Sequence, residues 1–258
     1  MTNSSSSGSA PWKHVWLTGA SSGLGEHTAR ILAEQGCHVS ISARSKDKLD
    51  AIAASHANIS AHPADVTDAA RLKEVVAEIE AEYGPVDLCI FSAGAWFQSK
   101  ITELNLDNFS KTVDVNLMGV VNSIDAVLPQ MLERGRGHIS WVSSVAGYSG
   151  LPGAASYGAT KAALINLAET VKPELEARNI DVSVINPGFV RTPMTDKNDF
   201  PMPFLMEPED AAAKIVEGLK ARRFEVAFPW QLVRILKTMR ILPYWLYFKI
   251  TRRMLRSD

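Results

Sequence analysis

The sequence predicts an α/β fold: a doubly wound, seven-stranded parallel sheet with helices on both faces. Three observations lead there. Short apolar runs rich in Val, Ile and aromatic residues recur along the chain, helical stretches separate them, and the polar and glycine motifs fall just beyond their ends. Strands are expected at 14–18, 38–43, 58–62, 86–92, 137–143, 180–185 and 224–228. Helices are expected at 24–35, 46–55, 68–83, 107–133, 156–178 and 208–221. Sheets of this kind bind ligands outside the carboxyl ends of their strands. Gly19 follows the first strand, Gly94 the fourth, Ser144 the fifth and Pro187 the sixth, so the motifs converge on one site.

The first strand, Val15-Trp16-Leu17, breaks into Thr18-Gly19-Ala20-Ser21-Ser22-Gly23-Leu24-Gly25 and then a helical pattern through Ala29, Ile31, Leu32 and Ala33. Strand, glycine turn and helix form the context of a dinucleotide site. Glycines let the backbone approach a pyrophosphate, and the helix N-terminus turns free N–H groups toward it. The second strand ends at Ala43, followed by Arg44. A carboxylate at the end of this strand would serve the ribose hydroxyls of NAD(H). Ala43 repels no 2′-phosphate, and the Arg44 guanidinium presents a fork suited to one. NADP(H) is therefore expected over NAD(H).

The fourth strand runs into Ser92-Ala93-Gly94, and the long helix after it carries Asn116 and Pro129. The fifth strand leads to Ser144, thirteen residues before Tyr157; Lys161 lies four residues further on. Positions i and i+4 share a helix face, which puts an ammonium beside a phenol. A phenol has a pKa near ~10, too high for easy proton exchange at neutral pH. A cation ~4 Å away at an effective dielectric of ~20 is worth ~4 kcal/mol, enough to bring that pKa down by up to ~3. Tyr157 is then usable as a general acid or base. Pro173 lies more than three turns beyond Lys161, so the face carrying both residues is expected to survive any kink. After the sixth strand comes Asn186-Pro187-Gly188-Phe189-Val190-Arg191-Thr192, and then a segment over 193–207 rich in Pro, Phe and Met.

These motifs, in this order over residues 13–228, resemble the short-chain dehydrogenase/reductase family, whose fold is of the Rossmann type. The resemblance implies that Ser144, Tyr157 and Lys161 are the catalytic triad, with Asn116 extending it to a tetrad by holding a relay water. It implies cofactor contacts from Gly19, Ser21, Ser22, Gly23, Leu24, Gly25, Arg44, Asp65, Val66, Ala93, Gly94, Tyr157, Lys161, Pro187, Gly188, Val190 and Thr192. Asp65 with Val66 would meet adenine, although Asp65 could instead cap the helix near residue 68 together with Thr67 and Asp68. Thr192 would bond the nicotinamide carboxamide, and 193–207 would act as a substrate lid. Ser92 stands where the family usually has Asn. The expected function is hydride transfer between nicotinamide and a hydrophobic ketone, aldehyde or secondary alcohol. An apolar lining of Trp96, Phe97, Tyr148, Leu151, Phe189 and Met194 supports that substrate class. The family also implies a homodimer or homotetramer. A rival from another class is a non-catalytic NADP(H) sensor or scaffold, which needs none of the triad.

Composition bounds the rest. At 258 residues, 46% apolar and 21% charged, the chain suits one globular catalytic domain at 13–228. A disordered lead-in is expected at 1–12, and a basic, aromatic extension at 229–258. A net charge of −1 argues against a nucleic-acid partner. Cys37 and Cys89 are read as free thiols; with no signal peptide, a cytoplasmic location is expected. His14, His38, His56, His62 and His138 are placed at strand edges or on the surface without metal-ligand spacing, so no metal is expected. The extension carries Arg234, Lys237, Arg240, Lys249, Arg252, Arg253 and Arg256 interleaved with aromatics. That pattern suits a peripheral membrane contact, a cover over the substrate mouth or a partner subunit.

Overall fold

A computed structural model describes residues 9–97 and 101–255. Its sheet contains β1 (His14–Thr18), β2 (His38–Ser42), β3 (Ile59–Ala61), β4 (Leu88–Phe91), β5 (Gly137–Val142), β6 (Ile180–Pro187) and β7 (Glu225–Phe228). All pairs are parallel, in the order β3-β2-β1-β4-β5-β6-β7. The order reverses between β1 and β4, where such sheets open a crevice at the strands' carboxyl ends.

The connections are α1 (Gly23–Glu34), α2 (Lys46–Ala54), α3 (Ala69–Tyr83), α4 (Leu106–Val113), α5 (Gly119–Arg134), α6 (Ala155–Glu176) and α7 (Pro208–Lys220). Beyond β7 come α8 (Trp230–Arg240) and α9 (Tyr244–Thr251). Alternation along the central strands sorts side chains onto two faces. Trp16, Cys89 and Phe91 join α3, α5 and α6 in one core, whereas Val15, Leu17, Leu88 and Ile90 join α1, α2 and α7 in the other. Residues buried on both faces read as unbroken apolar runs, which is why these strands were legible.

Three boundaries differ from expectation. The helix expected over 107–133 is interrupted by a π turn, Asp114–Met118, one residue per turn wider than an α-helix. The extension is no appendage, because Leu232, Leu236, Met239 and Tyr247 are buried in the same core as Trp141 and Leu164. Of the lead-in expected at 1–12, residues 1–8 lie outside the described residues, while Trp12 is buried and Ala10 N–H donates to Gln35 O at 3.4 Å. Pro129 and Pro173 sit inside α5 and α6 without ending either helix.

Two of the histidines placed at edges or on the surface are in fact buried: His14 and His138. His138 Nε2 lies 2.8 Å from Ser183 Oγ, whose own proton goes to Arg223 O, so Nε2 carries the hydrogen and Nδ1 is bare. Burial holds His138 at about 4, below its ordinary 6.5, and does the same to His38, which stacks on Tyr83 at 3.6 Å. His14 and His62 are lowered by burial as well. A folded pKa below the unfolded one means stability is full above 6.5 and is lost as pH falls toward 4. For His138 that loss is about 3 kcal/mol. The thermal midpoint is therefore expected to drop over that interval, and His138→Gln to flatten the drop; an unchanged slope would refute the assignment.

Candidate active site

The β1–α1 turn is built on Gly19, at φ +76°, where only glycine fits. A Cβ there would stand 2.4 Å from Ala93 N, so the turn lies directly against the loop after β4. Ser22 precedes α1 in extended conformation and makes no side-chain cap, leaving the first-turn N–H groups directed into the crevice. These features make a cradle that admits a pyrophosphate, and the dinucleotide fits the residues present.

A cleft of about 280 Å³ occupies the carboxyl ends of the strands. Gly19, Ser21, Ser22, Gly23, Leu24, Gly25, Arg44, Asp65, Val66, Ala93, Gly94, Pro187, Gly188, Val190 and Thr192 all line it. So do Ser144, Tyr157 and Lys161. Arg44 is exposed at the cleft edge and forms no ion pair among the described residues. Asp65 Oδ1 accepts from Thr67 N and Oγ1 at 3.0 and 2.9 Å, while the cap of α3 is Asp68, which accepts from Arg71 N. Asp65 thus shapes the turn at the cleft and leaves the capping to its neighbour.

The β5 loop and α6 bring the chemical groups together. Ser144 Oγ accepts from Ala146 N at 3.1 Å and donates to Pro187 O at 3.3 Å. The Ser144 side chain opposes the upward push of burial on the Tyr157 phenol. Lys161 Nζ donates to Val142 O at 2.8 Å and lies 5.4 Å from the Tyr157 ring centroid. Desolvation brings its ammonium down to about 7. The expectation that Lys161 would acidify Tyr157 is thus reversed: burial governs both groups, keeping the phenol protonated and making the amine the one that titrates near neutrality.

Asn116 stands behind the cleft, in the π turn. Its Oδ1 accepts from Ala95 N at 2.6 Å, and its Nδ2 donates to Ala95 O at 3.0 Å and Thr160 Oγ1 at 3.3 Å. The amide therefore pins the loop after β4 to α6. That loop presents Trp96, whose ring meets Tyr157 edge-on at 5.1 Å and whose Nε1 donates to Asn198 Oδ1 at 3.0 Å. Asn198 belongs to the segment 193–207, tied at its far end by the Val190–Met206 bridge and the Arg191–Glu207 ion pair at 3.0 Å. Phe200, in the same segment, meets Phe189 edge-on at 6.0 Å.

Tyr148 leaves the expected apolar lining. It is buried, and its hydroxyl donates to Glu225 Oε1 at 2.6 Å, a contact 77 residues away in sequence. Val115 and Thr195 line the cleft unanticipated. Thr195 was readable: three residues after Thr192, its Oγ1 accepts from Thr192 N at 2.9 Å in a local turn. Val115 lies in the π turn, for which sequence periodicity carries no sign.

Comparisons with known proteins point the same way. A family model described as short chain dehydrogenase matches residues 13–201. An uncharacterized oxidoreductase of Myxococcus xanthus is 38% identical over 247 residues, covering 94% of this chain and 98% of that protein. One from Staphylococcus haemolyticus is 35% identical over 205 residues, covering 79% and 89%. Among solved structures, a short-chain dehydrogenase from Streptomyces avermitilis superposes with a TM-score of 0.80 at 28% identity, over 95% of this chain and all of that one. ElxO with NADP bound gives 0.75 at 26% identity, over 84% and 97%.

Proposed function

Because this chain belongs to the short-chain dehydrogenase family and is an oxidoreductase of CH–OH and C=O groups with NAD(P), we propose that it transfers hydride between NADP(H) and a hydrophobic substrate, reducing a ketone or aldehyde or, in reverse, oxidising a secondary alcohol. One observation carries the reading: Ser144, Tyr157 and Lys161 share a single cleft with the glycine turn and with Arg44. The cofactor would supply hydride from its nicotinamide. Gly19, Ser22, Gly23 and Gly25 would hold the pyrophosphate, Asp65 and Val66 the adenine, and Pro187, Gly188, Val190 and Thr192 the nicotinamide side.

The chain's own residues then handle the proton. Tyr157, kept protonated by burial, donates to the substrate oxygen as negative charge develops there. Ser144 holds that oxygen by a hydrogen bond, a preorganised donor in a water-poor site. Lys161, titrating at about 7, returns a proton to the phenol from its place beside the ring. Asn116 acts at one remove, fixing the loop that carries Trp96. Trp96, Met194 and Phe200 supply an apolar surface for the substrate, and 193–207 closes over it. The protein is read as a homo-oligomer of the cytoplasm without a nucleic-acid partner. A screen of apolar carbonyls and alcohols by NADPH absorbance tests the proposal, and inactivity on all of them would count against it.

Arg44 supplies the cofactor preference. A charge-assisted fork to a 2′-phosphate contributes about 1.5–3 kcal/mol, or roughly tenfold to a hundredfold. Arg44→Ala is expected to lower kcat/KM for NADPH by that factor and to leave NADH nearly unaffected. A wild-type preference for NADH in the same assay would overturn the assignment.

A further inference from the structure

The α8–α9 pair has two contrasting sides. Leu232, Leu236, Met239 and Tyr247 face the core. The opposite side presents Ile241, Tyr244, Trp245 and Phe248, which are 81%, 77%, 71% and 49% exposed. These four gather at the corner where the helices meet, and the Tyr244 and Phe248 rings stack at 5.7 Å. Leu255, 61% exposed, extends the apolar surface past α9. A contiguous patch of large side chains marks an interaction surface, whereas isolated exposed residues do not.

Charge identifies the occupant. Residues 229–257 contain no Asp or Glu, although the whole chain is close to neutral. Arg240, Lys249, Arg252 and Arg253 are exposed around the patch and form no ion pair among the described residues. Lys237, by contrast, pairs with Glu225 on the core side. An isologous contact with a second copy would set these cations against their own equivalents. An anionic bilayer satisfies both parts of the surface, because Trp and Tyr settle at headgroup level and Lys and Arg meet lipid phosphates. An eight-residue helix such as α9 is about 12 Å long and can only lie in the plane of a membrane. No described helix is long and apolar enough to cross one.

We propose that the α8–α9 corner is a docking face for an anionic lipid surface, with Ile241, Tyr244, Trp245 and Phe248 entering the headgroup region and Arg240, Lys249, Arg252 and Arg253 on the phosphates. The face adjoins the catalytic loop. Tyr247, whose ring meets Phe248 at 5.5 Å, donates its hydroxyl proton to Gly150 O in the segment between Ser144 and Tyr157. A bilayer-dissolved apolar substrate would thus be met beside the site that uses it.

The test is flotation of the full chain with vesicles of phosphatidylcholine alone and of phosphatidylcholine with phosphatidylserine in equal parts. Binding is expected only to the mixed vesicles and is expected to weaken as salt is raised. Trp245→Ser with Phe248→Ser should weaken it at least tenfold, the effect of withdrawing two large apolar side chains. Arg252→Gln with Arg253→Gln should also weaken it about tenfold, at several-fold per cation. All four positions are exposed, so thermal midpoints should not move. No flotation with mixed vesicles, equal binding to both vesicle types, or insensitivity to either double variant would overturn the proposal. A concentration-dependent dimer that the Trp245/Phe248 variant dissociates, without flotation, would assign the face to a second copy instead.

Discussion

Tyr157→Phe is expected to lower turnover by roughly a hundredfold to ten-thousandfold while NADPH still binds, because it removes the one proton donor facing the substrate oxygen. The substitution is structurally mild. The phenyl ring keeps its edge-on contact with Trp96 and its place near Lys161 Nζ. Ser144 retains bonds to Ala146 N and Pro187 O, so no buried hydroxyl is orphaned. The protein should therefore fold normally and quench its fluorescence on NADPH addition much as before. Together the two readouts separate an enzyme from a sensor, since a sensor would lose neither binding nor response. Turnover surviving in the variant would remove Tyr157 from the mechanism and leave Ser144 and Lys161 without a proton donor to serve.

The sheet and the location of the site were legible because each rests on local chemistry. Val15, Trp16 and Leu17 are apolar whichever face they meet, and a glycine such as Gly19 records a backbone conformation directly. What escaped depends on distant partners or on burial. Tyr148 reads as a pocket aromatic until Glu225 is seen to take its hydroxyl. Lys161 reads as a permanent cation until burial brings it to about 7. The π turn at Asp114–Met118 adds width without glycine or proline to announce it. The extension is a different case. Leu232, Leu236 and Met239 recur at a helical spacing that marks a core-facing stripe, so its membership in the domain could have been read from sequence.

Gly147→Ala should separate the two halves of the catalytic group. The β5 loop and α6 are stitched together by Ser143 Oγ donating to Lys161 O at 2.7 Å and Trp141 Nε1 donating to Leu164 O at 3.0 Å. Between those bonds Gly147 lies directly on the helix: a Cβ there would stand 2.7 Å from both Lys161 C and Lys161 O, and 2.9 Å from Ala162 N. Every one of those atoms is backbone, so no side chain can rotate aside. The loop bearing Ser144 must move away from the helix bearing Tyr157 and Lys161. Overpacking of this kind costs about 1–3 kcal/mol, and a displacement of about 1 Å at reacting groups costs roughly a hundredfold in rate. Gly150→Ala is the matched control three residues away, where an added Cβ meets nothing within 4 Å. Its effect should stay within about 0.5 kcal/mol, with activity retained. Thermal midpoints and kcat for the pair decide the matter, and equal behaviour of the two variants would mean that close packing of the loop on α6 does not hold the site together.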